Sequence, residues 1–169
     1  MAVTPVQGKV ARKYMAHFID TSFGLTLQSA TWSRLGKDLE EMNVELNPDT
    51  STFTNIIGET QYRHNGYDPS SDASPYYAEV GDALFEKLQK FVDDRETGDA
   101  LKTYVMEAHL WEDTEGGDVT AYVQAAYVTP QSYGGDTSGY QIPFTLSYVG
   151  DRIKGTVNQT THVFTPDQE

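Results

Sequence analysis

Hydrophobic and polar positions alternate most cleanly in the second half of the chain. From Tyr104 to Trp111, the residues Tyr104, Met106, Ala108 and Leu110 share one face while Glu107 and His109 take the other. This is the period-two pattern of a half-buried strand. The acidic, glycine-containing run from Glu112 to Asp118 reads as a hairpin turn into a return strand over Val119 to Val128, with Val119, Val123 and Tyr127 in phase. After a turn-rich run at Gly134-Gly135-Asp136-Thr137-Ser138-Gly139, the apolar Ile142, Phe144, Leu146 and Tyr148 alternate with Gln141, Pro143, Thr145 and Ser147. Pro143 lacks a ladder donor, which predicts a sheet edge or a bulge there. Gly150-Asp151 reads as a further turn, leaving Arg152 to Val163 as a last, more polar strand.

The first half is less regular. Trp32 to Leu46 and Phe53 to Tyr67 read as the arms of a long hairpin joined across Asn47-Pro48-Asp49-Thr50-Ser51. Met42, Val44 and Leu46 share a face opposite Glu41, Asn43 and Glu45, and Leu39 falls out of phase, which a bulge near Glu40 would correct. One helix is expected, beginning near Ser74-Pro75 and ending before Gly98, with Val80, Leu84, Leu88 and Phe91 as its core-facing stripe. The architecture that follows is mainly β, a sandwich or barrel with one flanking α-helix.

At 169 residues the chain suits a single domain over 1–169, since a chain of this size buries roughly 70% of its unfolded surface around one core. Both ends are polar, so residues 1–13 and 164–169 are expected to behave as flexible arms that order against a neighbour. The absence of cysteine excludes a disulfide framework and thiolate chemistry. No run approaches the about 18 apolar residues a membrane span requires, and no basic, then apolar leader opens the sequence. A formal net charge of −13 opposes unaided binding to nucleic acid, because that affinity comes mostly from cations neutralising phosphates. Eleven tyrosines against two tryptophans point to a folded, contact-rich protein instead of a disordered acidic tail.

Local catalytic signatures are absent. His17, His64, His109 and His162 fall on separate segments with no metal-binding spacing. The 134–139 glycine run lacks the Gly-Lys-Ser/Thr ending of a phosphate loop and leads into a strand, so its glycines serve a turn that needs positive φ. The 112–118 run lacks the ligand ladder of a calcium loop, and no serine sits in a nucleophile elbow. The expectation is a non-enzyme with no catalytic, cofactor or metal residues.

The order of several short runs carries more than any one motif. Trp32-Ser33-Arg34-Leu35-Gly36-Lys37-Asp38-Leu39, then Asn65-Gly66-Tyr67-Asp68-Pro69, Pro75-Tyr76-Tyr77, the helix, and Ser132 through Phe144 together resemble the major tail proteins, or tail tube proteins, of long non-contractile phages (siphophages) of Gram-positive bacteria. The likeness covers about Trp32 to Thr160. It implies a tail-tube-like fold of two packed sheets with a flanking helix. It also implies homo-hexameric rings stacked into a hollow tube, assembly in the bacterial cytoplasm into a virion tail, and contacts with a tape measure protein and with tail terminator and distal tail proteins. Phage DNA would pass the lumen without specific binding.

Within that frame the acidic lumen candidates are Glu41, Glu45 and Glu107, and the ring-stacking candidates are the presumed hairpin tip Asn47, Pro48, Asp49, Thr50, Ser51 and Thr52. A β-sandwich module binding carbohydrate or a host receptor through its tyrosines stands as the alternative from a different class.

Overall fold

The computed structural model describes residues 2–37 and 39–168. Met1 and Glu169 of the expected arms, and Asp38 of the Trp32–Leu39 run, lie outside the described residues. In chain order the elements are β1 (Met15–Asp20), β2 (Trp32–Leu35), β3 (Val44–Glu45), β4 (Pro48–Thr54), β5 (Thr60–Tyr67), β6 (Ser70–Ala73), α1 (Ala83–Asp94), β7 (Lys102–His109), β8 (Asp118–Pro130), β9 (Gly134–Asp136), β10 (Gly139–Gln141), β11 (Phe144–Asn158) and β12 (Phe164–Pro166). The protein is mainly β with one α-helix. Eight strands form one curled antiparallel sheet in the order β2-β1-β7-β8-β11-β6-β3, with β12 on β11; β4-β5 and β9-β10 are separate two-stranded sheets.

Two cores lie on opposite faces of the large sheet. In β7 the neighbours Val105 and Met106 are both buried but belong to different clusters, as alternation along a strand requires. In β8 the buried set is Val119, Ala121 and Val123 at one end and Ala126 and Val128 at the other. Tyr127, expected in phase with Val119 and Val123, is therefore only half-buried. The first core is closed by α1, and the second by Phe18 of β1 with Phe164 of β12 packed against it.

β1 escapes a reading based on alternation because Ala16, Phe18 and Ile19 serve both cores, so all but its first residue is buried. It pairs with β7 from Met15↔His109 to Ile19↔Val105, and with β2 from His17↔Leu35 to Asp20↔Trp32.

The helix is shorter than expected. Asp82, not Ser74, is its N-cap: the carboxylate accepts from Leu84 N at 3.0 Å and from the Tyr76 hydroxyl. Gly81 at φ 96° sets the chain outside helical geometry just before that cap, so Val80 lies in the preceding loop and is almost fully exposed. Leu84, Leu88, Phe91 and Val92 form the buried stripe, each stabilising the first core by about 2 kcal/mol.

Two turn expectations change. Gly150-Asp151 does not end a strand; it lies in a bulge of the 15-residue β11, where the register against β8 shifts between Val149 and Ile153. A glycine followed by a polar residue suits a bulge as well as a turn, and Gln124 Nε2 donates to Gly150 O at 2.9 Å across it. Pro143 precedes β11, which is an interior strand paired to both β8 and β6. The proline thus costs no ladder bond, and the strand it precedes is not at an edge. The 134–139 run is the tight β9–β10 hairpin, in which a Cβ on Gly135 would lie 2.1 Å from Gly139 O.

Candidate assembly surfaces

The expected long hairpin exists but is displaced along the chain. Its strands are β4 and β5, paired from Pro48↔Tyr67 to Thr54↔Thr60, with a bulge after Asp49. Pro48, Asp49, Thr50, Ser51 and Thr52 are therefore strand residues running from the base toward the tip. Trp32–Leu35 belongs to the large sheet instead, and no strand is found among the described residues between Leu35 and Val44, so no bulge at Glu40 is needed. Asn47 stands at the hinge with φ 44°, its amide donating to Asp68 O and Ser70 Oγ, each at 3.1 Å.

The true tip is Asn55 to Glu59. Asn55 Oδ1 accepts from Ile57 N at 3.1 Å and Glu59 N at 2.9 Å, and Gly58 takes φ 84°. Pro-Asp-Thr-Ser carries stronger turn chemistry by composition, whereas two isoleucines hide the tip inside an apolar run.

Every residue of β4 is exposed, as is every residue of β5 except Gly66. At the tip Ile56 is 105% and Ile57 73% exposed, and Phe53, Tyr62 and Tyr67 add apolar surface along the strands. Arg63 lies over the Phe53 ring at 4.9 Å, and His64 packs edge-on to Tyr67 at 4.7 Å. A lone two-stranded sheet wet on both faces is marginal in water, so this hairpin has little burial of its own to hold it.

The acidic candidates occupy different settings. Glu41 is exposed and accepts from Asn43 Nδ2 at 2.6 Å. Glu45 is exposed on β3, opposite Ser70. Glu107 is half-buried in a row across the large sheet, with His17 and Tyr122 as its register partners. The β11 bulge brings Arg152 onto that row. Its Nη2 donates to Glu107 Oε2 at 2.6 Å, and its guanidinium lies 4.3 Å from the Tyr122 ring centre.

Burial pushes the Glu107 carboxyl up, but His17 and Arg152 outweigh it and hold the group below the usual glutamate range. Its charge is thus met within the subunit. Glu41 and Glu107 line adjoining grooves that share Arg12, Met15 and Met42, whereas Glu45 lines neither.

The two chain ends also make contacts. Val6 N donates to Trp111 O and Thr114 N to Thr4 O, both at 2.8 Å, and Asp113 Oδ1 accepts from Thr4 N at 3.3 Å. Residues 164–166 form β12, in register Gly155↔Pro166 to Val157↔Phe164. Among the described residues no three His, Asp or Glu side chains converge as a metal site would need, and no helix is long and apolar enough to cross a membrane. No protein-family model matches the chain, and no curated protein matches it.

Proposed function

We propose that the chain is a structural subunit of a phage tail tube, which self-associates into stacked hexameric rings and encloses a conduit for DNA. The observation that carries this reading is the β4–β5 hairpin: a projecting ribbon exposed on both faces and ending in two isoleucines. Leaving this much apolar surface in water is unfavourable by roughly 25 cal/mol per Å², and covering it in a neighbouring copy recovers that energy.

Electrostatics supports the same reading. The net charge of −13 is repeated in every copy, so a bore lined by any share of it repels phosphate and keeps DNA mobile. Glu41 and Glu45, exposed and without a cation partner among the described residues, are the lumen candidates that fit. Glu107, neutralised by Arg152, fits less well. The role is mechanical, and no residue is assigned a catalytic step.

Negative-stain microscopy of the purified protein over a concentration series, with light scattering on the same samples, tests the proposal. Hollow rings or tubes with sixfold end views are expected. A monomer at every concentration that gains stability with a sugar would instead favour a binding module.

A further inference from the structure

Buried polar groups nearly always find a partner, and those that do not mark places where a partner is expected to arrive. Among the described residues three buried side-chain atoms make no hydrogen bond: Asp20 Oδ2, His17 Nε2 and Tyr148 Oη. Asp20 is accounted for locally, since its other oxygen accepts from Ser22 N at 2.9 Å, Ser22 Oγ at 2.7 Å and Thr31 N at 3.0 Å. His17, 4% exposed, and Tyr148, 6% exposed, come from β1 and β11, which are not neighbours in the large sheet. Both nevertheless line one groove of about 350 Å³.

The curl of that sheet builds the groove, because β3 at one end of the strand order and β1, next to the other end, contribute to the same walls. His17 Nε2 lies 3.6 Å from Glu107 Oε1, beyond hydrogen-bond range. Near Tyr148 the Ser71 hydroxyl gives its proton to Asn43 O at 2.8 Å. Burial, helped by the charge of Glu107, pushes the Tyr148 hydroxyl well above the usual tyrosine range, so it stays a donor.

Charge narrows what could meet these groups. Arg12 and Arg152 line the groove against Glu107 as its one acid, and Glu107 is already engaged by Arg152 Nη2 at 2.6 Å. Arg12 Nη2 donates to Met42 O at 2.9 Å, and a guanidinium has five N–H donors, so both arginines keep some to spare. In a chain of net charge −13, a groove with one excess cation and an unused hydroxyl donor selects a monoanion. Met15, Met42 and Val44 give it an apolar wall, and methionine adapts to the shape of what it covers.

We infer that this groove binds a small organic monocarboxylate, its carboxylate accepting from the Tyr148 hydroxyl and His17 Nε2 and its apolar end covering Met15, Met42 and Val44. Arg12 and Arg152 supply the opposing charge. A second negative charge on the ligand would be unmatched, which disfavours a phosphate dianion. The site lies within one subunit and does not depend on the tube reading.

Equilibrium dialysis of the full-length chain against radiolabelled hexanoate tests this, because it reads binding whatever the state of association. Saturation at a single hexanoate per chain is expected. Unlabelled hexanol and inorganic phosphate should each compete about tenfold less well than unlabelled hexanoate, and Tyr148→Phe and Arg12→Gln should each weaken binding about tenfold. Tyr148→Phe removes a hydroxyl that has no hydrogen-bond partner, so its thermal melt should be no lower than that of the wild type, which separates a ligand contact from a structural one. Arg12 is exposed and supplies a second variant that keeps the fold. No saturable binding, equal competition by hexanol or by phosphate, or full affinity in either folded variant would overturn the inference.

Discussion

At the scale of single residues, Glu107 shows how one ion pair is supported and what it contributes. Replacing it with glutamine keeps a neutral acceptor but removes the negative charge that faces Arg152 at 2.6 Å and His17 at 3.6 Å, at a cost of about 1–3 kcal/mol. The folded-state value lies below the ordinary one, so the contribution is present above the unfolded glutamate's pKa and is lost as pH falls through the folded-state value. Denaturant melts of the wild type and Glu107→Gln should differ fully at pH 7 and converge as the solution is acidified below the usual glutamate range.

Asp113 behaves similarly in sign. The Glu115 amide, with those of Thr4 and Gly117, holds it low against an opposing push from desolvation. Asp113→Ala should speed amide exchange at Thr4, Glu115 and Gly117 while leaving β7 and β8 protected.

At the scale of elements, the helix and the hairpin have opposite energetics. Leu88, fully buried in the first core, should cost about 2–5 kcal/mol when cut to alanine, read as a lower melting temperature. Ile56→Ser with Ile57→Ser should leave the melt unchanged, since those side chains touch water in the single subunit.

The same contrast explains what the sequence makes legible. Strands β7 and β8 are legible because buried positions alternate along each, with one change of phase where the strand passes from one core to the other, at Val105–Met106 and between Val123 and Ala126. β1 is not, because burial on both faces erases alternation. The helix stripe Leu84-Leu88-Phe91 was readable, but its start was set by Asp82 and Gly81, local geometry that Ser74-Pro75 imitates. The sequence predicts a long hairpin but points to Asn47–Thr52 as its tip, because turn propensity outweighs two isoleucines in any reading by composition. The exposure of Ile56 and Ile57, the feature that now matters most, is a tertiary fact with no sequence signal.

At the scale of the whole molecule, a curled eight-stranded sheet sealed on both faces supplies a rigid body, and the β4–β5 ribbon projects from it with little to hold it in place. On the proposed reading, the body and the exposed ribbon make a subunit that its neighbours complete. The most direct test replaces residues 55–59 with a two-residue Asn-Gly turn, which closes a hairpin without the isoleucines, and compares this variant with the wild type by microscopy and light scattering at matched concentrations. The wild type is predicted to form hollow rings or tubes while the shortened hairpin remains a folded monomer. Assembly of both to the same extent, or of neither, would contradict the account.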